Sequence, residues 1–229
     1  MALRKNASLA GIGADPAEGK EQRARWRRRK DARPNEILEA ALAVFAEKGF
    51  AAAKLDDIAA RAGVSKGTVY LYFESKEAVF TALVQERLGP RVSEIANLAR
   101  DHDGPIAPLL AQILRTLGFF LRTTDYVVLP KIVIAEAGNF PELARMYHQA
   151  IVERGMGLLG QVIGSGIARG EFRVLPIEHA VRLALGPLLL IAIWRTTFAR
   201  FDSKPYDYEG LVEEHITTLL AGLAKENAT

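Results

Sequence analysis

Apolar residues recur along the early part of the chain with the spacing of a helix that buries one face. Between Pro34 and Gly49 this stripe consists of Ile37, Leu38, Ala41, Leu42, Phe45 and Ala46. Positions that repeat every three to four residues lie on one side of an α-helix, so the segment predicts a helix with a buried side. Gly49 follows the last apolar position, and glycine favours the left-handed conformation in which many helices end.

Residues 54–73 predict two further short helices joined by a tight turn. The apolar stripe of the first is Leu55, Ile58, Ala59 and Ala62, and Gly63 follows it. Ser65 then stands where a helix N-cap belongs, and Val69 and Phe73 lie four residues apart on an inner face. Two short helices around a glycine turn indicate a helix-turn-helix, which inserts its second helix into the major groove of DNA. The alternative is a helical hairpin that only packs.

The outer face of the second helix carries side chains that suit contact with DNA. Hydroxyls, a lysine and aromatic rings hydrogen-bond or pack against phosphates, sugars and base edges. Gly67 lies near the start of this helix, where it costs about 1 kcal/mol relative to alanine. Its missing side chain would let the backbone approach a phosphate closely.

Helical spacing continues from Ser75 to the C-terminus, and no segment alternates long enough to predict a strand. The predicted helices span 76–100, 105–123, 125–137, 140–169, 176–199 and 207–226. The first of them should be kinked or broken near Gly89 and Pro90, because proline removes a helix hydrogen bond. We therefore expect an all-α protein.

Composition limits the class of protein. The chain has 229 residues, of which 49% are hydrophobic and 25% charged, as in globular proteins with a sizeable core. It has no cysteine, which excludes disulfides and thiolate metal sites and fits a reducing interior. The first twenty residues lack a signal-peptide run, and the apolar stretch 183–194 is too short to span a bilayer. We expect a cytoplasmic protein without a membrane partner, in which 183–194 is part of a buried helix.

Charge is unevenly distributed along the chain. The formal net charge is +3, but residues 1–33 carry +6 and the remainder carries −3. The basic run includes Arg25, Arg27, Arg28 and Arg29. We expect residues 1–33 to form a disordered basic arm, and two interpretations of it stay open. It is a solvated tail, or it enters the minor groove of DNA; in either case it attracts phosphates.

Residues 35–80 closely resemble the N-terminal domain of the TetR family of bacterial transcriptional regulators. The resemblance is carried by FAEKGF at the end of the first helix, by DIAARAGVSKGTVYLYF, and by SKEAVF directly after it. It implies an N-terminal three-helix DNA-binding domain at 34–80, with the helix-turn-helix at 54–73. A larger helical ligand-binding and dimerisation domain would follow at 81–229.

The resemblance also implies roles for individual residues. The DNA-facing positions of the second helix of the motif are Ser65, Lys66, Gly67, Thr68, Tyr70, Leu71 and Tyr72. Among them Thr68 and Leu71 would contact bases, and Tyr72 would contact a phosphate. Lys76, which follows the motif, would contact a phosphate as well. The family often has a threonine where this chain has Ala53, and Lys54 would supply a phosphate contact in its place.

Regulators of this family dimerise through their last two long helices, here 176–199 and 207–226. The first of these is apolar on nearly all sides, and such a helix must be buried. A homodimer interface is one way to bury it, and the core of a single chain is the other. A two-fold DNA site favours the dimer.

Aromatic and methionine residues of the middle helices could line a ligand pocket. The alternative is that they form plain core. The candidate lining residues are Phe119, Phe120, Tyr126, Met146, Tyr147 and Met156. Such a lining predicts an apolar or aromatic effector. The candidates to orient its polar end are Arg115, Arg122, Glu136 and His148.

No motif for catalysis, metal binding or a cofactor stands out. None of the four histidines, His102, His148, His179 and His215, has a metal-ligand spacing. The family resemblance implies a ligand-responsive repressor, which a small apolar or aromatic ligand releases from a palindromic double-stranded DNA operator. A ligand-independent DNA-binding or nucleoid-associated protein is the alternative, and a helical enzyme is a remote one.

Overall fold

The chain folds into helices, as the apolar spacing predicts. The computed structural model describes residues 34–100 and 102–225. Within these residues the one contact of β type is an isolated bridge between Phe172 and Ala224. The predicted all-α fold class is confirmed.

Three short helices begin the described part and pack around one apolar centre. They are α1, whose described part spans 34–48, α2 (Leu55–Arg61) and α3 (Lys66–Tyr72). Most of the predicted stripe of α1 is buried, although Ala46 is exposed. Gly49 follows α1 with a φ of 75°, a conformation that glycine adopts without steric cost.

The predicted helix at 76–100 is divided by a wide helical turn. It consists of α4 (Lys76–Leu83), a π-helical turn (Val84–Leu88) and α5 (Gly89–Arg100). The amide of Gly89 donates to the carbonyl of Val84, five residues back. Pro90 has no N–H and its ring crowds the carbonyl four residues earlier, so the predicted break falls just before Pro90.

The remaining helices follow the predicted segments within a few residues. They are α6 (Ile106–Thr123), α7 (Val128–Glu136), α8 (Pro141–Tyr147), α9 (Glu153–Ala168), α10 (Ile177–Thr197) and α11 (Tyr208–Leu223). A 3-10 turn (Asp125–Val127) precedes α7. A second π-helical turn (His148–Val152) joins α8 to α9 within the segment 140–169, which the sequence predicts as one helix.

Buried side chains form two separate clusters. The first core contains the inner faces of α1 to α4 together with α7 and α8, and the second contains those of α5, α6, α9, α10 and α11. Packing therefore crosses the predicted boundary between residues 80 and 81, because α7 and α8 return to the N-terminal helices. The chain passes between the two cores near the two π-helical turns and near the 3-10 turn.

Helix α10 is less buried than its composition predicts. By length and composition alone it could cross a membrane, yet core helices of soluble proteins meet the same criterion. A third of its most apolar stretch is buried in the chain. Leu183 and Leu190 are 62% and 52% exposed, so the single chain leaves one face of 183–194 uncovered.

Candidate functional site

The turn between α2 and α3 has the geometry of a helix-turn-helix. Gly63 has a φ of 65°, and the amide of Val64 donates to the carbonyl of Ala59 at 3.1 Å. Ser65 caps α3, since its Oγ accepts from the amide of Thr68 at 3.2 Å. Ile58 and Val69 are fully buried between the two helices. These contacts fix the angle at which α3 leaves the protein surface.

The outer face of α3 presents polar and apolar groups to solvent. Leu71 is 73% exposed, which is unusual for a leucine, and Tyr70 beside it is exposed as well. Thr68 is half-buried, and its hydroxyl lies 2.8 Å from that of Ser65. Tyr72, predicted to face DNA, packs partly against the first core. The exposed surface of α3 is therefore centred on Leu71 and Tyr70.

Gly67 has no internal packing role. A Cβ at this position would meet only Ser65 Oγ, at 3.9 Å, which is an ordinary contact distance. Glycine destabilises a helix by about 1 kcal/mol relative to alanine. Since nothing inside the described protein requires the small residue, its position fits a close approach from outside.

Three ion pairs lie on the surface of the helix-turn-helix and the end of α1. They join Lys66 to Asp56, Lys48 to Asp57 and Arg61 to Glu47. The Lys66–Asp56 pair closes to 2.8 Å, and the Asp56 carboxylate raises the pKa of Lys66. We refer to them as the three surface ion pairs. Lys54 is exposed at the N-cap of α2 and belongs to none of these pairs.

Lys76 is directed into the protein. Its ammonium donates to the carbonyls of Phe50 and Ala51, each at 2.8 Å. It also lies over the rings of Phe50 and Phe140, at 4.8 and 5.3 Å from their centroids. Two of its three N–H groups are thus used internally, so the predicted phosphate contact is not the arrangement found here. The reason is that the turn after α1 presents two carbonyls directly at the start of α4.

The arm arginines, Arg25, Arg27, Arg28 and Arg29, lie outside the described residues, as does the whole predicted arm 1–33. Ala53 is buried, and the N-cap of α2 is Lys54 instead. The backbone amide of Lys54 donates to Asp57 Oδ2 at 3.1 Å. A residue at position 53 therefore precedes the cap and faces the first core.

The six residues predicted to line a ligand cavity do not lie together. Phe119 is 58% exposed under the Arg122 guanidinium, and Met156 packs against the second core. Phe120, Tyr126, Met146 and Tyr147 pack against the first core. The six residues are therefore divided between the two cores, because helical periodicity tells which residues are apolar but not which core they join.

Four of these residues border the contact between the two cores. The rings of Phe120 and Tyr126 stack with centroids 6.1 Å apart. The Tyr126 hydroxyl donates to Glu39 Oε1 on α1 at 2.8 Å, and partial burial raises its pKa. Burial also raises the pKa of Tyr147. Both phenols therefore stay protonated, and Tyr126 links α7 to the DNA-binding helices.

The residues proposed to orient a ligand are mostly engaged elsewhere. Arg115 forms a two-pronged ion pair with Glu213, at 2.7 and 2.8 Å, and Arg122 pairs with Glu209. These pairs join α6 to α11. Glu136 accepts from the amide of Ala51 at 3.2 Å and so contacts the turn after α1. His148 is exposed.

A cleft that the sequence does not predict opens at the junction of the cores. Its volume is about 360 Å³, and it lies between the end of α1, one face of α7 and the end of α10. None of the six predicted lining residues borders it, although Glu136 does. Over 34–100 and 102–225, no group of three His, Asp or Glu side chains is placed to hold a metal ion.

Comparison with known proteins gives the family. A sequence profile described as "Bacterial regulatory proteins, tetR family" matches residues 37–83. A profile described as "AefR-like transcriptional repressor, C-terminal domain" matches residues 108–222, about half of the chain. The HTH-type transcriptional regulator RutR of Escherichia coli is 36% identical over 198 residues, which cover 84% of this chain and 82% of RutR. The chain belongs to the TetR family.

Two further relatives agree with this assignment. The fatty acid metabolism regulator protein of Bacillus subtilis is 24% identical over 197 residues, covering 85% of this chain and 98% of that protein. The crystal structure of FadR from Bacillus subtilis in complex with stearoyl-CoA has the same fold, with a TM-score of 0.69 and 22% identity. That match covers 82% of this chain and 98% of FadR. This TetR-family protein is a DNA-binding transcriptional regulator.

Proposed function

We propose that this TetR-family regulator is a cytoplasmic homodimeric repressor that an apolar or aromatic effector releases from a palindromic operator. The observation that carries the DNA-binding part is the outer face of α3, where Gly67 has no internal packing role and Leu71 is exposed. A dimer would place two copies of α3 in successive major grooves, about 34–36 Å apart on one face of DNA.

Each DNA contact is proposed from the position of its residue. Leu71 would meet a thymine methyl, and Thr68 would contact a base edge after its hydroxyl leaves Ser65. The backbone contacts would come from Lys54, Ser65, Lys66, Gly67, Tyr70, Tyr72 and the arm arginines. Lys66 would have to leave Asp56, which lies 2.8 Å away, to meet a phosphate.

The homodimer is proposed from the exposed face of α10. Leu183 and Leu190 are two helical turns apart on this face, and Trp194 is one turn further. Gly186 lies between them with open space around it, since a Cβ there would meet nothing within 4 Å. An exposed leucine stripe with a small residue at its centre suits close packing against the same helix of a second copy.

The effector class is proposed from the apolar character of the middle helices and from the relatives. Stearoyl-CoA is the ligand in the Bacillus subtilis FadR structure, so a long-chain acyl-CoA is the first effector to test. Insensitivity of DNA binding to all effectors would favour the ligand-independent alternative.

Selection of bound DNA from a random pool, with and without stearoyl-CoA, tests the proposal. We expect a palindrome whose half-sites lie about one helical turn apart, and weaker binding with the effector. In the same selection, Thr68→Ala should lose about 1–3 kcal/mol of discrimination between the preferred base and other bases at the contacted position. A pool without sequence preference, or Thr68→Ala with unchanged preference, would contradict the assignment.

A further inference from the structure

The cleft between the two cores has an apolar floor. Ala46 lies at the end of α1, and Ile132 and Ala135 lie on α7. Ala46 and Ala135 are exposed and Ile132 is 5% exposed, whereas Phe45 and Phe50, which also border the cleft, are enclosed in the first core. The opposite wall is the end of α10, a helix whose inner face belongs to the second core. A molecule in this cleft would therefore touch α7 of the first core and the end of α10.

The polar wall of the cleft has unused hydrogen-bond donors. The half-buried Lys131 donates one N–H to the carbonyl of Thr196 at 2.8 Å, which leaves two N–H groups. The Arg200 guanidinium lies 4.6 Å from the Phe201 ring centroid and has no carboxylate partner among the described residues. Both cations face the cleft.

The carboxylates that border the cleft are already bound. Glu47 pairs with Arg61. Glu136 accepts from the amide of Ala51 and from the side-chain amide of Asn139, both at 3.2 Å. The third basic residue of the lining, Lys48, is held by Asp57 at 2.8 Å. Glu136 keeps its negative charge, but Lys131 and Arg200 outnumber it, so the unpaired charges of the lining sum to +1.

We propose that this cleft binds a small amphipathic carboxylate, with its carboxylate at Lys131 and Arg200 and its apolar part on Ala46, Ile132 and Ala135. The volume of about 360 Å³ suits a molecule with one ring and a short chain. This site is separate from an effector site among the middle helices, and it does not depend on whether the protein represses or activates.

The ligand would act on the contact between α7 and α10. Lys131 now ties α7 to the carbonyl end of α10 through Thr196. A carboxylate bound at the two free N–H groups of Lys131 and at Arg200 adds a second link between α7 and the residues after α10, beside the bond to Thr196. It thereby strengthens the contact between α7 and the end of α10.

Titration with phenylbutyrate tests the site in the full-length protein. Trp194, in the last turn of α10, serves as the fluorescence reporter in a Trp26→Phe background. Phenylbutyramide, the neutral analogue, and inorganic phosphate, an anion without an apolar part, serve as the comparison ligands. We expect phenylbutyrate to bind at least about tenfold more tightly than either, since charge-assisted hydrogen bonds and apolar burial both contribute.

Two variants and two controls locate the bound molecule. Lys131→Gln and the exposed-site variant Arg200→Gln should each weaken phenylbutyrate binding about tenfold. Lys225→Gln removes an exposed lysine just after the C-terminal end of α11. This variant should bind phenylbutyrate as tightly as the parent protein does. Thermal unfolding of each variant checks the fold, and Arg200→Gln keeps the test available if Lys131→Gln unfolds.

The proposal fails if the acid and the amide bind equally, or if no binding occurs at millimolar concentration. It also fails if Phe120→Ala abolishes binding while Lys131→Gln and Arg200→Gln retain it, because that result places the ligand among the middle helices. Operator binding by Lys131→Gln without ligand should match the parent, so the outcome is distinct from any failure of DNA recognition.

Discussion

Asp56 binds the lysine at the start of α3, Lys66, which we propose meets a phosphate of DNA. Its carboxylate lies 2.8 Å from Lys66 Nζ, and both side chains are more than half exposed. An exposed pair of this kind contributes little to stability. Its main effect is on the DNA-facing surface, where it neutralises a cation that would otherwise meet a phosphate.

Asp56→Asn should therefore strengthen DNA binding. We expect about two- to tenfold tighter binding at low salt and a salt dependence steeper by about one unit of slope, because one more cation meets a phosphate. Fluorescence anisotropy over a salt series measures both quantities. Glu142→Gln, which opens an equivalent ion pair with Arg145 on α8, is the control. Identical slopes for Asp56→Asn and the parent would rule out this competition.

Lys76 has a structural role that differs from its predicted contact with DNA. We expect Lys76→Met to destabilise the protein by about 1–3 kcal/mol, because two backbone carbonyls lose their donor. Thermal unfolding should show a decrease of about 2–4 °C for each kcal/mol in a chain of this size. Lys225→Met, at an exposed site, should leave the unfolding temperature nearly unchanged.

The two possible roles of Lys76 give opposite patterns. If Lys76→Met has an unchanged unfolding temperature and weakened DNA binding, the result supports the phosphate contact that the sequence predicts. A variant with lowered unfolding temperature and nearly normal affinity, measured well below the transition, supports the internal role.

At the scale of helices, the proposed homodimer rests on the face of α10 that is exposed in one chain. Leu190→Glu should convert the protein from a dimer of 25.1 kDa chains to a monomer, because it places a charge inside an apolar interface. Sedimentation at micromolar concentration distinguishes the two. Leu98→Glu, at an exposed leucine of α5, is the matched control and should remain dimeric. A parent protein that sediments as a monomer would refute the interface.

Helix positions could largely be predicted from the sequence because each helix buries one regular stripe. Proline and glycine also gave the ends correctly, as at Pro141, the first residue of α8, and Gly49. The π-helical turns could not be predicted, since a single turn of five residues is too short to show an apolar period of its own. The direction of Lys76 was equally inaccessible, because its acceptors lie 25 and 26 residues away in sequence.

At the scale of the whole molecule, the two cores meet at the places where helical geometry is irregular. The π-helical turn at Val84–Leu88 packs against that at His148–Val152. Apolar stripes identify core residues but cannot assign α7 and α8 to the first core, since that depends on how distant helices meet. The cleft arises from the same meeting, which is why no short motif indicates it.

From the distribution of charge over the whole chain, we expect the N-terminal arm to be a main source of attraction to DNA. Residues 1–33 carry +6, whereas residues 34–88 carry −2. Deletion of 1–33 should reduce the salt slope of DNA binding by about 0.9 for each arm cation that meets a phosphate. Sequence preference for bases contacted by α3 should persist. An unchanged slope would show that the arm does not contact DNA.

The three surface ion pairs also bear on how the regulator searches a genome. Non-specific binding comes almost entirely from cations that meet phosphates, and a genome offers about 10⁶–10⁹ such competing sites. Because Lys66, Lys48 and Arg61 are already paired with carboxylates, we expect them to add little to non-specific binding. On the proposed contacts the protein would leave a wrong site sooner, and base contacts at an operator would offset the separation of Lys66 from Asp56.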